Sequence, residues 1–217
     1  MNKVEFKKLI TLAYMPPFRM AFAILALSAL AACSQPARVS QMAVPNMLAP
    51  IVAANSELLG AMSVGDVSGG KATNPLWTSQ VDNPQFKEAL ERSLEFNGLL
   101  ASPGTNPRLV VSATLVELKQ PFIGLDFTVT PKVVYRVVQP NGEVELLREE
   151  LVTPYTADFS SSFIAVERLR LANEGAIRES IKRFLVRFGE VWSSRTGRPA
   201  TPIVPQSPAN APAQPSS

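Results

Sequence analysis

Three groups of side chains in this sequence have the types and spacing to do chemistry. Cys33 is the only cysteine, so its thiol has no partner for an intramolecular disulfide. Glu143, Glu145, Glu149 and Glu150 stand close together and could supply paired carboxylates for general acid–base work. Ser160, Ser161 and Ser162 could offer a nucleophilic hydroxyl, which needs a base to take its proton. The chain has no histidine, so that base would have to be a lysine or a carboxylate. The same absence excludes histidine triads and imidazole proton relays. No cluster has the ligand types and spacing of a zinc, iron–sulfur or calcium site, and no metal or cofactor is expected. The run Gly65-Asp66-Val67-Ser68-Gly69-Gly70-Lys71 lacks the spacing of a phosphate-binding loop and is separated from the next helix by a proline-containing segment. It reads as a turn leaving a strand.

The elements that would hold these groups favour plainer roles. Glu143 and Glu145 fall on one face of a hairpin strand, the pattern of a solvated face. The three serines stand just before a long helix, where hydroxyls commonly cap free backbone N–H groups. No catalytic residue is therefore assigned.

Cys33 is different because of what precedes it. Residues 1 to 19 carry basic charges, Met20 to Ala32 is a short apolar run, and small residues close the segment, which is the layout of a secretory signal. The run is too short to span a bilayer, which takes about 20 apolar residues. Leu30-Ala31-Ala32-Cys33 resembles the lipobox of bacterial lipoprotein precursors. The resemblance implies cleavage before Cys33 and two or three fatty chains on that residue. Each buried methylene contributes about 0.8 kcal/mol, so two chains already make a durable anchor. Ser34 follows the cysteine, where an aspartate would favour inner-membrane retention in the enterobacterial pattern. The expected location is therefore the periplasmic face of the outer membrane, with the inner membrane or cell surface as alternatives. Translation from Met1 or from Met15 would both leave a leader. Of the 21 basic and 18 acidic residues, Lys3, Lys7, Lys8, Arg19 and Glu5 precede Cys33, so a chain cut there carries 17 of each sign. The sequence pI of about 9.2 thus reflects the leader, and no nucleic-acid partner is expected.

The organisation expected is a leader over residues 1–32, a lipidated cysteine and tether over 33–56, a folded domain over 57–196 and a tail over 197–217. The tether carries Pro36, Pro45 and Pro50 without a sustained period, and part of it could be helical. The tail carries six prolines among Ala, Ser, Gln and Asn and reads as disordered. Within the domain, Leu58 to Val67 reads as a strand. Asn83-Pro84 starts a helix with Phe86, Leu90 and Leu94 in one stripe, ended by Asn97-Gly98. Leu109 to Val116 and Phe127 to Val138 alternate as strands, and Pro140-Asn141-Gly142 turns the chain into a strand over Glu143 to Thr153. Ala165 to Trp192 has a helical apolar stripe, with Arg168, Arg170 and Arg178 largely off it. Trp77 and Trp192 read as packing residues. The order β-α-β-β-β-α predicts an α+β two-layer sandwich, with an antiparallel-rich sheet of about four strands and two helices on one face.

The strand ending in Gly65-Asp66-Val67-Ser68-Gly69-Gly70, the following Asn74-Pro75-Leu76-Trp77, the helix from Phe86-Lys87-Glu88-Ala89-Leu90 to Leu94, and Gly98-Leu99-Leu100 are together similar to the YajG-like group of small bacterial envelope lipoproteins. The similarity covers roughly residues 57 to 192. More distant relatives by architecture are LptE-like and PqiC-like outer-membrane lipoproteins, accessory parts of lipid or lipopolysaccharide transport assemblies. The resemblance implies no catalytic residue.

The remaining feature is Pro121-Phe122-Ile123-Gly124-Leu125, apolar where a polar connection between strands is expected. It either folds under the sheet or, if exposed, makes Phe122, Ile123 and Leu125 a partner or lipid contact. Phe159 and Phe163 flank the serines in a similar way. The function expected is a membrane-anchored, non-enzymatic adapter or accessory subunit with an envelope protein partner, working by tethered recruitment. The alternative is a lipid- or glycan-binding module using a groove between helices and sheet. An enzyme would require turnover that depends on Glu149, Glu150 or Ser161.

Overall fold

Asp82 fixes the start of the first long helix: its carboxylate accepts a hydrogen bond from the Gln85 N–H at 2.8 Å, with Pro84 in the first turn. The cap thus lies one residue before the expected Asn83, whose own side-chain oxygen accepts instead from the Gly70 N–H at 2.7 Å. The helix ends at Phe96, where Gly98 takes a φ of +70°. In the computed structural model, residues 35–45, 56–74 and 79–197 are described. The leader, Cys33, part of the expected tether, Trp77 and all but the first residue of the proline-rich tail lie outside the described residues.

The elements are α1 (Val39–Met42), β1 (Met62–Ser68), α2 (Asn83–Phe96), β2 (Leu109–Lys119), β3 (Phe127–Val138), β4 (Glu145–Val152), β5 (Tyr155–Ala157) and α3 (Ala165–Thr196). β1 starts later than expected because Ser56–Leu58 forms a 3-10 turn. The sheet order is β1-β2-β3-β4. β1 runs parallel to β2, as a strand joined through a helix can, and the other pairs are antiparallel. β5 is an addition to the expected four strands. The ladder between β3 and β4 breaks at Thr153-Pro154, where proline has no N–H to give, and resumes in the same register as β5 against Phe127–Val129. The architecture is the expected α+β one, an open mixed sheet with its helices packed on it.

Alternation along the strands decides which face is covered. Val111, Ala113, Val133, Tyr135 and Val137 are buried beneath the helices, while Thr114, Arg136, Arg148 and Glu150 on the other face are exposed. The space between sheet and helices is packed with side chains. Tyr135 stacks on Phe184 at 4.5 Å between ring centroids and meets the edge of Phe86 at 6.4 Å. Such aromatic pairs add about 0.5–1.5 kcal/mol beyond the area they bury. A groove between helices and sheet is thus not where a ligand would sit at this level.

Burial raises the Tyr135 hydroxyl far above the ordinary tyrosine value, against a smaller opposing effect of its 3.0 Å hydrogen bond with Ser180. The folded group keeps its proton where the unfolded one has lost it. Stability is therefore full below pH 10, the ordinary tyrosine value, and falls as pH rises above it, by up to about 1.4 kcal/mol per pH unit. Denaturant unfolding of Tyr135→Phe across pH 9 to 11 is expected to lack most of that decline. An unchanged slope would assign it to other groups.

Candidate functional site

The segment nearest the expected lipidation site is held against the fold rather than free of it. Ala37, Met42, Ala43 and Val44 are buried, and α1 packs on α2 and α3. Residues 35–45 therefore depart from the tether expected over 33–56. Their side chains pack on α2 and α3, and their backbone groups find partners on both. The Arg38 N–H donates to Glu174 Oε1 at 2.8 Å, and the Arg38 guanidinium reaches the same oxygen at 3.2 Å. Val44 N–H donates to Ser93 Oγ, and the Asn97 amide donates to the Val44 carbonyl, each at 3.0 Å. Arg178 Nη1 donates to the Gln41 carbonyl at 3.1 Å. This covering explains why α3 carries a buried Glu174, while buried Asn173 is bonded to Ser79 and Gln120. Arg168 and Arg170, expected off the buried stripe, are also buried: Arg168 lies over the Phe127 and Phe159 rings, and Arg170 pairs with Glu167 and Glu174.

At its first described residue this segment joins a polar hub. Ser79 Oγ donates to the Gln35 carbonyl at 2.9 Å, and the Ser79 carbonyl accepts from Gln120 Nε2 and Asn173 Nδ2, each at 3.0 Å. Gln120 Nε2 also donates to Asn173 Oδ1 at 2.7 Å. Two residues beyond Gln120 the chain enters the apolar stretch, and it stands outside the core. Phe122, Ile123 and Leu125 are 96%, 93% and 71% exposed. They do not fold under the sheet, because Gln120 and Asp126 turn the connection outward: Gln120 is bound in the hub, and Asp126 accepts from the Phe159 N–H at 2.9 Å.

That last bond ties in the second loop at the same end of the sheet. Asp158 accepts from the Ser161 N–H and from both the Ser160 and Ser161 hydroxyls. These bonds hold its carboxyl below the usual aspartate range. Ser160 and Ser161 thus serve the turn at Asp158, while Ser162 Oγ accepts from the Ile164 N–H at 3.2 Å, just ahead of α3, whose N-cap residue, Ile164, makes no side-chain cap of its own. Phe159 and Phe163 meet edge to face at 5.2 Å, and Phe163 and Ile164 are 79% and 61% exposed.

The other chemical candidates are not assembled. Glu145 is paired with Arg136, Glu149 with Arg187 and Glu150 with Lys132, and Glu143 accepts from Asn141. Gly65 to Lys71 ends β1 and packs against β2 and the start of α2. Among the described residues no three His, Cys, Asp or Glu side chains gather as a metal site, and no helix is long and apolar enough to cross a membrane. A cavity of about 320 Å³ opens at the opposite end of the sheet, between Arg108, Gln139, Leu146, Trp192 and Thr196. Trp192 packs on Phe188 at 6.0 Å, and its indole N–H is buried without a hydrogen-bond partner.

No family model and no curated protein matches this sequence. Solved structures similar to it include a Caulobacter crescentus protein provisionally described as a lipoprotein, with a TM-score of 0.45 at 13% identity over 65% of this chain and 96% of that one. A Xanthomonas campestris protein has a TM-score of 0.46 at 8% identity, covering 63% and 87%. A minor lipoprotein of Acinetobacter baumannii has a TM-score of 0.38 at 11% identity, covering 61% and 93%. No activity is carried over from likenesses this loose.

Proposed function

We propose that this chain is a periplasmic lipoprotein, held at the outer membrane by acyl groups on Cys33, that acts by protein contact as an adapter or accessory subunit in outer-membrane assembly or envelope transport. The observation that carries this reading is the continuity of anchor and fold. The Leu30-Ala31-Ala32-Cys33 lipobox is separated by Ser34 alone from Gln35, the first described residue, which accepts from Ser79 and leads into the segment bound onto the helices. The YajG-like pattern of the following elements supports the same class. A non-enzymatic role is supported by the engagement of Glu145, Glu149 and Glu150 in surface ion pairs.

Intact mass and membrane fractionation of the protein from a native-like host test the reading, alongside Cys33→Ala. The expected mass is that of residues 33–217 plus acyl groups, and Cys33→Ala is expected to carry no acyl groups and to lose outer-membrane fractionation. An unmodified, soluble wild-type product would remove the anchor. Gentle crosslinking that repeatedly returned no envelope protein would remove the adapter role.

A further inference from the structure

We propose that the apolar end built from Phe122, Ile123, Leu125, Phe163 and Ile164 inserts into the same leaflet that takes the acyl chains of Cys33, so that the domain is attached at two points and held in one orientation. The proposal rests on the anchor reading above and adds to it a second, non-covalent contact.

The five side chains are between 61% and 96% exposed, and they come from two separate connections, β2–β3 and β5–α3. Both connections leave the same end of the sheet, where β3 pairs with β5, and they are tied together by the Phe159 N–H on Asp126. Arg168 adds a shared support, lying 4.8 Å from the Phe127 ring centroid and 5.3 Å from that of Phe159. Apolar residues grouped on a fixed end, without cover from the chain's own described residues, mark a surface made for contact.

The course of the chain says what covers it. Gln35 is bound through Ser79 to Gln120, and Phe122 lies two residues past Gln120. Cys33 lies two residues before Gln35, a reach of no more than about 7 Å. The acyl chains therefore leave the chain within two residues of the hub that leads into the apolar end. The bonds from residues 38, 41 and 44 to α2 and α3 hold the segment to the domain, so that only residues 33 and 34 separate the anchor from the bound chain. Under the anchor reading, a lipid leaflet is the apolar phase nearest to this surface. Interfacial apolar groups of this kind sit about 5–10 Å into the boundary between headgroups and acyl chains. At that depth Asp126 and Asp158, occupied by hydrogen bonds within the two loops, remain among polar headgroups.

The chain's own chemistry provides the probe. Once Cys33 is acylated on its sulfur, a cysteine introduced elsewhere is the only free thiol. The full lipidated protein carrying Ile123→Cys is labelled with an environment-sensitive fluorophore and reconstituted in phosphatidylethanolamine–phosphatidylglycerol vesicles containing nitroxide-labelled lipid. Asn141→Cys, in the hairpin at the opposite end, is the comparison. The expected result is a blue-shifted label at 123, quenched several-fold more than the label at 141, with the difference lost on adding Phe122→Asp. A label at 123 as wet as that at 141 on protein that still floats with the vesicles would overturn the insertion and leave the anchor standing. A label dry only in native envelopes would overturn it in favour of a protein partner. Failure to float with vesicles would overturn both readings.

Discussion

Gly69→Ala is expected to remove about 3 to 5 kcal/mol of stability, the sum of a backbone strain and an overpacking cost. Gly69 has a φ of +83°, which side-chain-bearing residues rarely adopt. A Cβ there would also fall inside the Leu115 carbonyl, with the carbonyl carbon at 2.8 Å. Leu115 is a β2 residue paired with Val133, so its backbone cannot give way without breaking the centre of the sheet. The next residue is equally hemmed in, since a Cβ at Gly70 would come within 2.8 Å of the Asn83 nitrogen at the start of α2. Urea unfolding of the Cys33-lacking domain measures the effect. A loss below about 1 kcal/mol would mean that β1 and β2 do not approach as closely as described.

Glu174→Ala is expected to cost about 3 kcal/mol, in the range for breaking a buried pair and leaving its cation without full compensation. The Glu174 side chain is 2% exposed and sits between Arg38 and Arg170, whose own side chain is 6% exposed. Removing it frees the Arg38 N–H and guanidinium together, so residues 35–45 are expected to lift from α3. Hydrogen exchange reads this locally: the Ala43 and Val44 amides, bonded to the Val39 carbonyl and Ser93 Oγ, should exchange much faster. Glu174→Gln keeps an acceptor for the Arg38 N–H and is expected to show a smaller change. Unaltered exchange in Glu174→Ala would show that the apolar side chains alone hold the segment.

What the sequence made legible follows the length of each pattern. β2, β3 and α2 carry many turns or alternations of one period, and their limits fall within a few residues of expectation. The docked segment was not legible because Ala37, Met42 and Val44 are too few and too unevenly spaced to form a period. A trace of it existed on the other side of the contact. Asn173 and Glu174 interrupt a run of small and apolar residues, Ala172, Gly175, Ala176 and Ile177, where a helix covered on one side only would be polar on the other. β5 was hidden by Pro154, which normally ends a strand. For Phe122, Ile123 and Leu125 the sequence posed the alternative of burial or exposure. The choice depended on the distant partners of Gln120 and Asp126, which no local pattern encodes.

α3 gives the molecule a height. Its 32 residues span about 48 Å at 1.5 Å per residue. Its first turn stands at the apolar end and its last beside Trp192 and the cavity. Under the proposed insertion, whatever the far end contacts would be offered at one elevation above the membrane rather than swept through the volume a loose leash would explore. A target fixed at that elevation would meet a raised local concentration, and one placed nearer or farther almost none.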